Sequence, residues 1–277
     1  MIKHLLFTFS LTAATLLGTS LALADELSQP ASASADQQSP PASAARGKPG
    51  GQIDLSHWKL TLPVDADNTY GGHAKEIESK QLVAGFKDSH FYTDSSGAIV
   101  FWCPVNGSRT DNTKFARCEL REMLEPGNPA RNWGMPGTHV MEARCRLIDI
   151  PSEPKVVIGQ IHSYTGQSKP LVKLQYYKGR IEALVKLSPD KGDDKKLTFA
   201  EAELNRDVTW SITLAGGVLS VDVNGMTQTE NMVHHDDSWA NETFYFKAGV
   251  YPQDNKGDSS EGARVSFSSL RVSHSAD

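Results

Sequence analysis

Apolar and polar residues alternate in short stretches from about residue 52 to the end of the chain, with the period of two typical of half-buried β-strands. These stretches predict strands near residues 55–62, 90–93, 98–104, 114–124, 138–149, 155–164, 171–177, 180–187, 208–214, 218–223, 244–251 and 263–272. Residues 75–84 instead have the apolar spacing of one short helix. Hairpin turns are predicted at the Lys-Gly, Gly-Gly and Asn-Gly pairs of residues 178–179, 216–217 and 224–225. So many strands with almost no helix predict an all-β fold in which antiparallel sheets pack as a sandwich or jelly roll.

Three predicted strands carry hydrogen-bonding side chains on one face and apolar side chains on the other. Side chains alternate along a strand, so three sets share a face: Ile158, Gln160, His162 and Tyr164; Arg117, Glu119 and Arg121; Tyr245, Lys247, Gly249, Tyr251 and Gln253. One such strand is explained by a solvated salt-bridge ladder, and a lone His162 by a histidine with ordinary hydrogen bonds. Three strands of this kind favour a shared polar groove.

The chain divides into three segments by composition. Residues 1–24 have a basic start, an apolar stretch and small residues before the end, which predicts a signal peptide. Residues 25–50 are rich in Ala, Ser, Pro, Gln and Gly and predict a disordered linker, because they cannot bury enough apolar surface to offset the entropy of ordering. Residues 51–277 are expected to form one folded domain of a secreted or periplasmic protein.

The composition argues against several kinds of partner. A net charge of -5 does not favour nucleic-acid binding, and no second apolar segment predicts a membrane span. Cys103, Cys118 and Cys145 could form one disulfide and leave one thiol, with the pair left open. Neither CxxC nor HxxxH spacing occurs, and His234 and His235 lie in a polar stretch, so the sequence predicts no metal site and no cofactor.

The residue types predicted to line the groove limit which ligands it could bind and which reactions it could catalyse. Arginine, lysine and glutamine side chains favour an anionic, hydroxyl-rich ligand, because guanidinium pairs bidentately with carboxylate. Glycoside hydrolysis needs two carboxylates, but Glu119 stands alone between two arginines. No GxSxG motif supports a serine hydrolase. A histidine and a tyrosine beside these donors suit removal of a proton from a carbon next to a carboxylate.

Three sequence blocks carry a resemblance to a known family. RCELRE at 117–122, QIH at 160–162 and YFKAGVYPQ at 245–253, in that order, strongly resemble the signature blocks of polysaccharide lyase family 7 alginate lyases. The resemblance implies a concanavalin-like β-jelly roll whose concave sheet binds alginate, a polymer of mannuronate and guluronate. It also implies metal-independent β-elimination, which leaves an unsaturated uronate at each new non-reducing end. We expect alginate to be the partner of a monomeric chain.

The resemblance also implies roles for individual residues. Arg117 and Gln160 would neutralise the uronate carboxylate, and His162 and Tyr251 would transfer protons. On mannuronate, whose C5 proton lies on the opposite face, Tyr251 would serve as both base and acid. The substrate-binding candidates on the same faces are Glu119, Arg121, Lys247, Gln253 and Tyr245, with Glu119 orienting the arginines.

Two positions depart from the family pattern, and a third bears on substrate preference. Cys118 stands where Ser or Thr is usual, and Pro252 where Asn is usual. Ile161, the middle residue of QIH, is associated in this family with guluronate-containing blocks, and Val with mannuronate. The alternatives are a lyase that prefers mannuronate, a lyase for another polyuronate such as glucuronan, and a non-catalytic alginate-binding module.

Overall fold

The computed structural model describes residues 53–276 except Gly166, Ser168 and Lys191. The predicted signal peptide at 1–24 and linker at 25–50 lie outside the described residues. In the described part of the chain, no helix is both long and apolar enough to cross a membrane.

Antiparallel strands make up almost all of the regular structure. In chain order they are β1 (Trp58–Thr61), β2 (Glu76–Ile77), β3 (Phe91–Thr93), β4 (Ile99–Pro104), β5 (Cys118–Glu122), β6 (Thr138–Asp149), β7 (Lys155–Ser163), β8 (Pro170–Tyr177), β9 (Arg180–Lys186), β10 (Asp194–Glu201), β11 (Asp207–Ala215), β12 (Val218–Val223), β13 (Met226–Asn231), β14 (Phe244–Pro252) and β15 (Gly262–Ser275). The helical elements are α1 (Ser79–Val83), α2 (Met232–His235) and a 3₁₀ helix at Asp237–Asn241.

The strands form two sheets. One has eight strands in the order β10-β9-β8-β7-β14-β5-β1-β2, and the other has seven in the order β13-β12-β11-β6-β15-β4-β3. Apolar side chains from both sheets form one buried core. Two antiparallel sheets closed over a common core confirm the predicted all-β sandwich of the jelly-roll kind.

Two glycines allow close packing directly behind the polar residues of the eight-stranded sheet. At Gly159 on β7, a Cβ atom would lie 2.8 Å from the ring of Trp210, which belongs to the other sheet. At Gly249 on β14, where φ is +148°, a Cβ atom would lie 2.6 Å from the Cys118 carbonyl oxygen. Larger residues would push apart the strands that carry the predicted groove, so both positions favour glycine.

The pattern of apolar residues predicted most strands and missed the polar ones. The three predicted hairpin turns are present, with positive φ at both central residues of each. The strands β10 and β13 were not predicted because their sequences, DKKLTFAE and MTQTEN, are mostly polar, as suits the two sheet edges that they form. The predicted helix at 75–84 is shorter, since β2 and then α1 occupy this stretch.

The sequence left open whether two of the three cysteines form a disulfide. Cys103, Cys118 and Cys145 are all free and buried. Cys118 points away from the groove face of β5 and packs near the carbonyl of His90, 3.4 Å from its sulfur. Its departure from the family pattern therefore affects core packing.

Candidate active site

The polar residues predicted to share a groove lie on three neighbouring strands of the eight-stranded sheet. In the ladder, Lys247 of β14 is the partner of Arg121 on β5 and of Gln160 on β7, and Tyr245 is the partner of His162. Directly paired residues place their side chains on the same face of a sheet. Pairing over a long sequence distance thus brings the three blocks together on one face.

Glu119 is the centre of this group. Its side chain is 1% exposed and accepts hydrogen bonds from Arg117 Nη1 at 3.1 Å and from Gln160 Nε2 at 2.5 Å. The ammonium of Lys247 lies 2.5 Å from Glu119 Oε2. Glu119 therefore lies beneath the groove floor and holds three donors in place. This arrangement suits the predicted orienting role of Glu119 better than direct contact with a substrate.

The buried charges shift one another's pKa values. Burial raises the pKa of the Glu119 carboxyl, but the charges of Lys247 and Arg117 outweigh it and hold the pKa below its ordinary value. Burial and the charge of Arg117 lower the pKa of Lys247 to about 8, against the opposing effect of Glu119. Two cations thus share one carboxylate, and the cluster keeps an excess of positive charge beside the groove.

His162 has the protonation state required of a base. Its Nδ1 lies 2.8 Å from the Ser163 carbonyl oxygen, which can only accept a hydrogen bond, so Nδ1 carries the proton. Nε2 therefore keeps its lone pair. Burial, followed by the charge of Lys247, lowers the pKa of His162 to about 3, so the ring is neutral at physiological pH. Tyr245 stacks on this ring with a centroid separation of 5.3 Å and fixes its plane.

Tyr251 has the protonation state required of an acid. The guanidinium of Arg117 lies 3.8 Å above the centroid of its ring, and Phe115 packs edge-on against it. Burial raises the pKa of the Tyr251 phenol against the opposing charge of Arg117, so the hydroxyl is protonated at neutral pH. Arg117 connects the two residues, because its guanidinium lies over the Tyr251 ring and its side chain lines the same groove as His162.

Arg121 was predicted to bind substrate, but its guanidinium is already held by several hydrogen bonds within the protein. Its two Nη atoms donate to the carbonyls of Glu122 and Pro129, to the side-chain oxygen of Asn132 and to the sulfur of Met123, all at 2.7–2.9 Å. Its guanidinium also lies 4.1 Å from the centroid of the Tyr245 ring. The hydrogen-bond partners of Arg121 therefore lie at the end of β5 and in the loop after it, so the expectation that Glu119 orients both arginines holds for Arg117 alone.

The groove itself has a volume of about 540 Å³. The predicted residues that line it are Arg117, Arg121, His162, Tyr245 and Lys247. Gln253 lies elsewhere, in a neighbouring depression of about 450 Å³, and is joined to the site by a bond from its Nε2 to the Tyr251 carbonyl at 3.4 Å.

Several lining residues were missed by sequence reasoning. They are Lys59 and Thr61 of β1, Glu76 of β2, residues 110–113, and Pro129 and Gln167. Tyr164, which was predicted to share the face of His162, also lines the groove. Lys59 and Thr61 share one face of a predicted strand, and this alternation was the available signal. Nothing local indicated that β1 would pair with β5 and so carry Lys59 into the groove.

The arrangement could bind an acidic group, accept a proton and donate a proton. Two cations and an amide converge where an acidic group could be held, and a neutral imidazole and a protonated phenol flank them. Across the residues that the structure describes, no group of three or more His, Cys, Asp and Glu side chains is placed to hold a metal ion.

Comparison with known proteins adds an independent line of evidence. A family model described as alginate lyase matches residues 53–274. An alginate lyase from Klebsiella pneumoniae is 30% identical over 285 residues, which cover 82% of this chain and 92% of that protein.

Solved structures give the same result at the level of the fold. Alginate lyase A1-II', a member of polysaccharide lyase family 7, is 39% identical with a TM-score of 0.75 and covers 81% of this chain and 97% of its own. An alginate lyase from Pseudomonas aeruginosa is 41% identical with a TM-score of 0.73, covering 80% and 100%. Two variants of A1-II' have been crystallised with oligosaccharides. A tyrosine-to-phenylalanine variant holds the product GGG, and a variant that also has histidine replaced by asparagine holds the substrate GGMG.

Proposed function

The chain belongs to the polysaccharide lyase family 7 alginate lyases, and from that premise we propose that it cleaves the 1,4-glycosidic bonds of alginate by β-elimination, preferring guluronate-containing blocks. The observation that carries the proposal is the neutral His162 ring, held next to donors that Glu119 gathers. A base and a carboxylate-binding cluster on one face are what proton removal beside a carboxylate requires.

Neutralising the sugar's carboxylate is assigned to Arg117 and Gln160, as the family resemblance implies, and Lys247 joins them on geometric grounds. When the C5 proton leaves, negative charge spreads from C5 into the carboxylate. Donors already fixed around that group therefore stabilise the transition state more than the ground state. Glu119 fixes them in advance, because each donates to or pairs with its carboxylate.

Proton removal on guluronate is assigned to Nε2 of His162. Nδ1 is occupied by the Ser163 carbonyl, so Nε2 is the nitrogen with a free lone pair. The electron pair of the C5–H bond then forms the C4–C5 double bond as the C4–O bond breaks. A positioned base contributes about 10²–10⁴ to the rate.

Proton donation to the departing glycosidic oxygen is assigned to Tyr251. Its raised pKa keeps the hydroxyl protonated, and Arg117 above the ring stabilises the phenolate that forms when the proton leaves. On mannuronate, the same phenol would also remove the C5 proton. In support of the two assignments, the relative A1-II' holds its substrate GGMG when one histidine and one tyrosine are replaced.

Preference for guluronate-containing blocks has two supports. The first is Ile161, the residue type associated with such blocks, which is fully buried and would act through packing beneath Gln160 and His162. The second is that A1-II' binds oligosaccharides written GGG and GGMG, which consist largely of guluronate. The alternative is a preference for mannuronate.

Export and a monomeric state complete the proposal. The composition of residues 1–24 supports a signal peptide and a secreted or periplasmic enzyme. All the residues assigned above come from one chain, which supports a monomer. N-terminal sequencing of the protein recovered outside the cytoplasm and its mass in solution test the two statements.

The experiment that tests the function compares three polymers. Purified protein is incubated with polyguluronate, polymannuronate and glucuronan, and the ultraviolet absorbance of unsaturated ends is followed together with new reducing ends. We expect one unsaturated end per reducing end, formed fastest from polyguluronate. Reducing ends without absorbance would exclude elimination, and faster release from polymannuronate would reverse the preference.

A further inference from the structure

One row of side chains crosses the eight-stranded sheet at right angles to its strands. Each member of the row is the ladder partner of the next. The members are Lys59 (β1), Arg121 (β5), Lys247 (β14), Gln160 (β7), Lys173 (β8), Leu184 (β9) and Lys196 (β10). Paired residues point to the same face. The row therefore begins in the groove and continues beyond it across three more strands, over about 14 Å from Gln160 to Lys196 at the usual strand spacing.

The outer half of this row is embedded in a basic surface centred on Tyr177. The Nζ atoms of Lys155, Lys178 and Lys196 lie 5.8, 5.0 and 5.8 Å from the centroid of the Tyr177 ring. Tyr177 and Lys173 are four residues apart on β8, so alternation places both on the groove face. We call Lys155, Lys173, Tyr177, Lys178 and Lys196 the outer basic surface.

Acidic residues on the same face offset only part of this charge. Lys196 lies 3.2 Å from Glu182, and Lys186 lies 2.7 Å from Asp194. Among the residues that the structure describes, no ion pair engages Lys155 or Lys173. Burial lowers the pKa of Lys173, and the charges of Lys155 and Lys186 add to this effect while Asp194 opposes it. An anionic ligand would raise the pKa again.

We propose that the outer basic surface is a second binding site for the polyuronate chain, continuous with the groove, which holds sugars beyond those at the bond being cleaved. The proposal rests on the proposed function, because the occupant is the same polymer. Three features favour this occupant. A linear polyanion offers one carboxylate per sugar, Lys173 and Lys196 continue the row of the groove across the sheet, and the Tyr177 ring provides an aromatic surface for a sugar among Lys155, Lys178 and Lys196.

The test compares long and short substrates for a charge-removing double variant, Lys173→Gln with Lys196→Gln. Each exposed charge contact contributes modestly, so we expect KM for polyguluronate to rise about 2–10-fold with little change in kcat. For a guluronate trisaccharide, which occupies the groove alone, kcat/KM should stay within about twofold. Polymer binding to the same double variant made in the His162→Ala background should also lose part of its salt dependence.

A matched control uses lysines that point elsewhere. Lys195 is the neighbour of Lys196 on β10, faces away from the groove and pairs with Glu230 at 2.7 Å. Lys80 is exposed on α1. The variant Lys80→Gln with Lys195→Gln removes the same net charge and should leave KM for the polymer unchanged.

Three results would overturn the proposal: equal losses on polymer and trisaccharide, no loss on either, or a rise in KM with the control variant. Failure of the proposed function would look different, because the wild-type protein would then release no unsaturated product from any polyuronate. Salt-dependent polymer binding to the outer basic surface could still be measured in that case.

Discussion

Glu119 and Glu122 are buried carboxylates on the same short strand, β5, and they face opposite sides of the sheet. Glu119 is 1% exposed and gathers Arg117, Lys247 and Gln160 under the groove. Glu122 is 3% exposed and faces the other sheet. Two identical and similarly buried side chains thus have different partners, because β-strand alternation directs Glu119 toward the groove face and Glu122 toward the core.

The partners of Glu122 come from the protein framework. Its Oε2 accepts from Trp133 Nε1 at 2.9 Å and from the Phe246 amide at 3.0 Å, and its Oε1 lies 2.6 Å from His274 Nε2. Because His274 belongs to β15, Glu122 connects the two sheets.

A chain of hydrogen bonds fixes the protons around Glu122. His139 donates from Nε2 to the Pro136 carbonyl at 2.9 Å, so its Nδ1 must accept from His274 Nδ1 at 2.8 Å. His274 in turn donates from Nε2 to the Glu122 carboxylate at 2.6 Å. Glu122 is thus bonded to the framework within the core, whereas the cations around Glu119 exceed its single charge and lie beside the groove.

The largest effect on turnover is expected from His162 and Tyr251, the two residues to which proton transfer is assigned. His162→Ala and Tyr251→Phe should each lower kcat by about 10²–10⁴. Circular dichroism and polymer retention should stay close to wild type, because neither side chain belongs to the Glu122 side of the sheet. Rates within about tenfold of wild type would reject the assigned roles.

A second, slightly smaller loss is expected from Glu119→Gln. Removing the carboxylate leaves Arg117 and Lys247 side by side without a counter-charge, so Lys247 should lose its proton and the donors should shift. Steady-state kinetics should show kcat lower by about 10²–10³. An enzyme that keeps its wild-type kcat would mean that the cations position themselves without Glu119.

A pH effect should follow from Lys247, whose pKa is about 8. Lys247 is cationic below this value and neutral above it, so kcat/KM should fall as pH rises through about 8, by about tenfold over one to two pH units. A bound uronate carboxylate stabilises the cation, so the corresponding fall in kcat should occur at higher pH. Lys247→Arg should move the fall in kcat/KM to higher pH, because guanidinium stays protonated. An unchanged pH profile in that variant would assign the fall to another group.

The smallest effect on turnover, and the clearest on stability, is expected from Glu122→Gln. The amide keeps an acceptor for Trp133 and the Phe246 amide but loses the charged oxygen that accepts from His274, at a cost of about 2 kcal/mol in the free energy of unfolding. Thermal unfolding should occur about 4–8 °C lower, while kcat changes by less than about threefold. A loss of kcat as large as that of Glu119→Gln would erase the distinction between the two sides of β5.

The surroundings of Glu119 in the groove could be predicted from the sequence far better than those of Glu122 in the core. Period-two alternation places Arg117, Glu119 and Arg121 on one face, and the ordered blocks identified His162 and Tyr251. Those residues lie on strands whose apolar faces are plain in the sequence, so both the strands and their faces could be predicted.

The remaining features depend on pairing across long sequence distances. Glu122 and His274 lie 152 positions apart, and no local pattern joins them. Lys59 enters the groove only because β1 pairs with β5. The polar edge strands β10 and β13 lack the apolar alternation that marks a strand, so the sequence did not reveal that Lys196 would continue the row from the groove.

The central claim is that Arg117 and its neighbours act by neutralising the carboxylate of the sugar that loses its proton. The most direct measurement is kcat/KM of wild type and Arg117→Gln on polyguluronate and on its methyl ester, in which the carboxylate is already neutral. We predict a loss of about 10²–10³ on the acid and a loss at least about tenfold smaller on the ester, because the ester lacks the ground-state charge and only the charge of the developing enolate is left to stabilise. Equal losses on both substrates would contradict the claim.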